Sequence, residues 1–340
     1  MKGNNISRIC VIGAGSWGTA LANLLAGKGL DIDLWVREHD VFNQIAEDHM
    51  NHTFLPGVHL SSNLTPVKTF EAALAEKEMA LIVVPSHVMR EVLNGIKPYL
   101  DPSVLLMIAT KGIENETLMI MSQVAESVLP KEFLNNFSCL SGPSFAKEVG
   151  IKIPTAVTIA SNDGVCLERL QRLFTREFFR VYTSFDLVGV QLGGALKNVI
   201  AIAAGISDGL GFGHNARAAL ITRGLAEITR LGVSMGANPM TFSGLAGMGD
   251  LVLTCTGDLS RNRTVGVKLG KGMKLHEITE KMSMVAEGVK TTMSAYNLAI
   301  KMHVDMPITS EVYAVLYEGK DPKDAVRALM TRKLKPELEY

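Results

Sequence analysis

Through the first 186 residues, short and nearly unbroken apolar runs alternate with stretches that are apolar on one helical face only. Arg8-Ile-Cys-Val-Ile-Gly13 reads as a strand and Trp17 to Lys28 as a helix. Asp31-Ile-Asp-Leu-Trp-Val-Arg37 alternates at period two, the mark of a strand with two unlike faces. Met79 to Pro85, Val104 to Thr110 and Phe137 to Ser141 are too short for helices and rich in apolar residues, as strands buried on both faces are. Thr155 to Ser161 and Phe179 to Phe185 add two more strands around a helix near Leu167 to Phe174. Strands alternating with helices predict an α/β fold, a doubly wound, Rossmann-type parallel sheet.

After Asp186 the period changes to that of helices, through Ile200, Ala219 to Leu231, Met284 to Met302 and Ser310 to Tyr317. The expected division is therefore a dinucleotide-binding unit over 1–186 and an all-helical substrate-binding unit over 187–340. Leu187 to Ser207 could mislead: it is 21 residues long with a single charge, Lys197, which is the length of a membrane span. Glycines at 189, 193, 194 and 205 interrupt it, and Gln191, Lys197 and Asn198 sit near its middle. A lysine there costs about 3 kcal/mol or more in a bilayer, so a helix buried in a soluble domain is the expectation.

Composition narrows the classes. Of 340 residues 47% are hydrophobic, enough for a large core without disulfide or metal staples. Lys plus Arg (34) equals Asp plus Glu (34), which argues against nucleic-acid coating and against an anionic membrane surface. Cys10, Cys139, Cys166 and Cys255 show no metal-ligand spacing, and free buried thiols in a reducing cytoplasm are expected. Met1 to Arg8 is polar and leads straight into a strand, so no signal peptide is expected.

Gly13-Ala14-Gly15-Ser16-Trp17-Gly18 is a G-x-G-x-x-G run between a strand and a helix, the context of a dinucleotide fingerprint. Gly13 permits the turn, Gly15 admits the diphosphate and Gly18 lets the helix pack on the strand. At the end of the second strand, where an acid would read the ribose of NAD, stands Arg37, followed by Glu38. An arginine can pair with a 2′-phosphate, which admits NADP(H) beside NAD(H). Lys111 follows a buried strand and so lies at the ligand-binding edge of the sheet. Ser141-Gly142-Pro143-Ser144-Phe145-Ala146 ends another strand in a small-residue turn. Lys197 is a buried-lysine candidate for proton transfer or for a structural ion pair. Asp250, in Gly247-Met-Gly-Asp-Leu251, needs a cation, and Lys197 and Lys111 are candidates. Arg261 with Asn262 suits a phosphate, and Glu287 is a lone acid among small residues.

Taken in order, Val11 to Ala22, Ala109-Thr-Lys-Gly112, Ser141 to Ala146, Gly194-Ala-Leu-Lys-Asn198, Gly247 to Leu251 and Ser260-Arg-Asn262 resemble the bacterial NAD(P)-dependent glycerol-3-phosphate dehydrogenases. The resemblance implies cofactor contacts at Ser16, Trp17, Arg37, Lys111, Ala146, Arg261, Val285 and Glu287. It places Lys111, Gly142, Ser144, Asp250, Ser260, Arg261 and Asn262 around the substrate, with Lys197 as proton donor and acceptor. It implies NAD(P)H-dependent reduction of dihydroxyacetone phosphate to sn-glycerol 3-phosphate for phospholipid synthesis, in the cytoplasm, with a homodimer possible and no metal. Phe54 stands where some relatives carry a Tyr near the adenine. A hydroxy-acid dehydrogenase of the same architecture and a non-catalytic NADPH-binding protein are the alternatives.

Overall fold

In a computed structural model of the chain, which describes residues 6–280 and 286–337, β1 (Arg8–Ile12) is buried at every position after its first, as its unbroken apolar run requires. The other strands, in chain order, are β2 (Asp31–Trp35), β3 (Met50–Asn51), β4 (Leu55–His59), β5 (Leu64–Val67), β6 (Met79–Ile82), β7 (Leu105–Ile108), β8 (Phe137–Ser141), β9 (Thr155–Ser161) and β10 (Phe179–Ser184). β3 and β4 pair as a small hairpin, and the rest form an eight-stranded sheet in the order β10-β9-β8-β7-β6-β1-β2-β5. The chain reverses its direction of travel across the sheet between β1 and β6, the point where doubly wound folds bind their ligands.

All neighbours in this sheet are parallel except β8 and β9. The sheet is thus the predominantly parallel, doubly wound one expected, with a single antiparallel pair. The exception arises because residues 142–154 hold only the short helix Ala146–Gly150, too little for a crossover to the far edge, so the chain turns back beside β8. β5 and the hairpin escape an apolar pattern altogether. Pro66 is tolerated because β5 is an edge strand, and Pro56 lies in the two-stranded hairpin.

Helices cover both faces, and two apolar clusters result, one on each side of β1. Side chains alternate between them: Ile9 and Val11 enter one, Cys10 and Ile12 the other. All four cysteines are buried thiols.

Beyond Ser184 every regular element is helical among the described residues, and a third apolar cluster forms there. Asp186 caps the long helix Leu187–Gly209: Oδ1 accepts from the Gly189 N–H at 2.8 Å, and Oδ2 accepts from Asn238 and Thr241. This helix is long and apolar enough to cross a membrane, yet 89% of its most apolar stretch is buried against protein. Its glycines give the reason. A Cβ on Gly205 would lie 2.1 Å from the Arg263 carbonyl oxygen, and one on Gly266 2.1 Å from that of Ile202. The helices Leu187–Gly209 and Arg261–Gly270 therefore touch backbone to backbone, which any larger side chain would prevent. His214–Ser234, Asp250–Thr256 and Glu287–Lys301 pack around the same helix.

Candidate active site

The Gly13 loop leaves β1 at the reversal point. Gly13 has φ 117°, and a Cβ on it would lie 2.4 Å from the Val83 carbonyl oxygen. Gly18 presses its helix onto that turn, since a Cβ there would stand 1.9 Å from the Gly13 oxygen. Gly15 differs: its backbone is extended, and an added Cβ would meet no protein atom within 4 Å. The volume above Gly15 is thus open, at the positive end of the eleven-residue helix Ser16–Ala26, whose first turn carries no acid. A diphosphate fits that cradle in charge and in space. Ser16 Oγ donates to the Phe54 carbonyl at 2.6 Å, and the buried Trp17 indole N–H has no partner among the described residues.

Arg37 lies two residues past β2 and is exposed. Its Nε and Nη2 donate to one oxygen of Glu38, at 3.0 and 2.6 Å. Exposed pairs of this kind are worth little, so the guanidinium is free to turn toward an anion.

The carboxyl ends of β7 and β8 meet the long helix where it carries Gly194. A Cβ there would lie 2.3 Å from Ser141 Oγ and 3.6 Å from Lys111 Cδ, so the glycine makes room for the Lys111 side chain to cross. Lys111 Nζ donates to the Gly142 carbonyl at 3.2 Å and to Asp250 Oδ2 at 2.7 Å. Lys197 Nζ donates to the other oxygen, Oδ1, and to Thr254 Oγ1 at 2.9 Å. Both ammonium groups that the sequence offered to Asp250 are therefore bound to it, on a carboxylate 1% exposed. Burial, aided by the charge of Lys111 and opposed by Asp250, brings the Lys197 pKa down to about 8. An amine in that range exchanges protons at neutral pH.

Around this triad stand the remaining candidates. Ser144 Oγ also donates to the Gly142 carbonyl, at 3.0 Å, and Ala146 opens the short helix beyond, packed against the core. Ser260 caps the helix Arg261–Gly270 by accepting the Arg263 N–H at 3.2 Å. Arg261, first in that helix, is exposed and makes no side-chain hydrogen bond or ion pair among the described residues. Asn262 Oδ1 accepts the Gly288 N–H at 2.9 Å, which leaves its amide NH2 to a ligand. Glu287 is pushed above its ordinary range by burial, with Arg261, Lys111 and Lys197 pulling it back. It thus shares the field of the lysine pair. Val285 lies outside the described residues, and Arg37 stands apart, past the carboxyl end of β2. The sequence reading gives Thr254 no role, although its spacing of four from Asp250 puts the two on one helical face.

Comparisons with known proteins bear on this arrangement. The family model described as NAD-dependent glycerol-3-phosphate dehydrogenase N-terminus matches residues 8–166, and that of the C-terminus residues 186–327. Glycerol-3-phosphate dehydrogenase [NAD(P)+] of Geobacter sulfurreducens is 61% identical over 330 residues, 97% of this chain and 98% of its own. That of Geobacter metallireducens is 60% identical with the same coverage. The crystal structure of glycerol-3-phosphate dehydrogenase from Coxiella burnetii superposes with a TM-score of 0.91 at 40% identity, covering 95% of this chain and 98% of that one. A D-mandelate dehydrogenase superposes at a TM-score of 0.60 with 11% identity over 94% of this chain and 99% of its own, a likeness of fold alone. With both halves matched and the helical half included, the chain belongs to the NAD-dependent glycerol-3-phosphate dehydrogenase family.

Proposed function

We propose that the chain reduces dihydroxyacetone phosphate reversibly to sn-glycerol 3-phosphate with NADH or NADPH. The observation that carries this is Lys197, a buried ammonium held by Asp250 and Thr254 in an otherwise uncharged stretch of helix. A bound reduced nicotinamide supplies the hydride for the C2 carbonyl.

The residues of the chain do the rest. Lys197 donates a proton to the carbonyl oxygen as negative charge gathers there, and takes it back in the reverse direction. Lys111 adds positive charge nearby. Asp250 fixes both ammonium groups, so neither must be reoriented during reaction. The substrate phosphate rests on Arg261, the Asn262 amide and the positive end of their helix. Ser144 and the Gly142 backbone border the substrate, and Ser16, Trp17, Ala146 and Glu287 border the dinucleotide. The unpartnered Trp17 N–H and the open space over Gly15 support that placement.

The division at Asp186, between a dinucleotide-binding unit (1–186) and a substrate-binding unit (187–340), belongs to the same proposal. So do a cytoplasmic location without membrane insertion, service to phospholipid synthesis, and a homodimer. Oxidation of NADH and NADPH is to be followed with dihydroxyacetone phosphate and, separately, with pyruvate. Turnover with the first alone is expected. Turnover with the 2-keto acid alone would overturn the reading, and tight NADPH binding without turnover on either would favour a binding protein.

A further inference from the structure

Three basic side chains, Arg37, His87 and Lys290, lie beside the Gly13 loop. β2 and β6 flank β1, with Ile12 level with both Trp35 and Ile82, so their carboxyl ends lie about 10 Å apart across the loop. Past the end of β2 comes Arg37. Past the end of β6 comes the turn Ser86–Val88, with His87 at its centre and exposed. The third group arrives from the helical half. A Cβ on Gly112 would lie 2.4 Å from Ser86 Oγ and 3.7 Å from Thr291 Oγ1, so the helix Glu287–Lys301 packs beside the Ser86 turn. Lys290 precedes Thr291 on that helix, exposed, and makes no ion pair among the described residues. Partial burial holds the His87 imidazole below its ordinary range, and Lys290 and then Arg37 depress it further. Among the described residues Glu38 is the one acid paired to this group, and it faces Arg37 alone.

The two permanent cations, Arg37 and Lys290, come from separate elements and oppose one another unless an anion lies between them, and such an anion would also favour protonation of His87. On the reading that the Gly13 loop holds a dinucleotide diphosphate, the ribose of the adenosine lies on the β2 side of that loop. We propose that Lys290 closes a cationic pocket with Arg37 and His87 that reads the 2′-phosphate of NADP(H), making Lys290 a determinant of cofactor choice supplied by the helical half. Arginine at the strand end takes the phosphate from one side. Lysine, a compact charge on a flexible stem, reaches it from the other.

The test is direct binding, measured calorimetrically at low ionic strength so that exposed charges are not screened. Lys290→Ala, Lys290→Arg and the unaltered protein are titrated with NADPH, NADH, 2′,5′-ADP and 5′-AMP. Lys290→Ala is expected to weaken NADPH and 2′,5′-ADP about tenfold while moving NADH and 5′-AMP less than twofold. Lys290→Arg, which keeps the charge, is expected to restore most of the loss. Equal losses for NADPH and NADH would overturn the proposal, because Lys290 would then serve the shared diphosphate. No loss for any of the four would overturn it as well. Failure of the unaltered protein to bind NADH at all is a different result, and would bring down the dinucleotide reading on which this inference rests.

Discussion

Lys197 and Asp250 face each other across two packed helices, and the ammonium donates to Oδ1 of a carboxylate that also holds Lys111 through Oδ2. One acid therefore balances two cations. Taking Lys197 out of water favours its neutral form, and Asp250 is the main influence keeping the proton in place.

That balance predicts a pH dependence with a definite sign. Reduction of dihydroxyacetone phosphate needs the Lys197 ammonium, so kcat should fall as pH rises through about 8. Oxidation of glycerol 3-phosphate needs the free amine and should rise through the same range. In Asp250→Asn the opposing charge is gone, so the falling limb of reduction should move to lower pH. The variant should also lose about 3–5 kcal/mol of stability in denaturant unfolding, because a buried ammonium is left without its partner. An unmoved limb would mean that Lys197 is not the titrating group.

Gly13 and Gly15 should answer differently to alanine. At Gly13 the positive φ and the Val83 carbonyl leave no room, so Gly13→Ala should unfold or strain the loop. At Gly15 the backbone is extended and nothing stands within 4 Å. Gly15→Ala should therefore keep its melting temperature and yet lose most NADH and NADPH affinity, which a titration alongside thermal unfolding would show.

Arg37→Asp should weaken NADPH about tenfold more than NADH in kcat/KM, since a carboxylate repels a 2′-phosphate. Equal losses would show that Arg37 does not read that phosphate.

Arg261→Ala should leave stability within about 0.5 kcal/mol, because the guanidinium is exposed and unpaired among the described residues. KM for dihydroxyacetone phosphate should rise at least tenfold, as a charge-assisted phosphate contact is lost. Steady-state kinetics beside a denaturation curve would separate the two effects.

Much of this was legible in the chain because the informative signals are local. An apolar strand, a glycine turn and a helix follow one another within Arg8 to Ala26, and Lys197 stands out as the one charge among 21 residues. What escaped depends on contacts between distant segments. β5 carries Pro66 and polar neighbours because an edge strand needs only one partner, so no apolar run marks it. The reversal of β9 follows from where a short link can reach. Thr254 gains its meaning only from Lys197, fifty-seven positions earlier. His87 and Lys290 carry no motif, and only the packing of Glu287–Lys301 beside the Ser86 turn brings them near Arg37.

The most direct measurement is kcat for dihydroxyacetone phosphate reduction by Lys197→Met, taken on protein shown to be folded and to bind NADH. Methionine keeps the apolar stem and removes a buried charge, while Asp250 retains Lys111. If Lys197 transfers the proton, kcat should fall by about 10² to 10⁴, with NADH affinity unchanged because the Gly13 loop is untouched. A folded Lys197→Met protein with near-normal kcat would contradict the account, and would leave Lys197 as a structural ion-pair partner only.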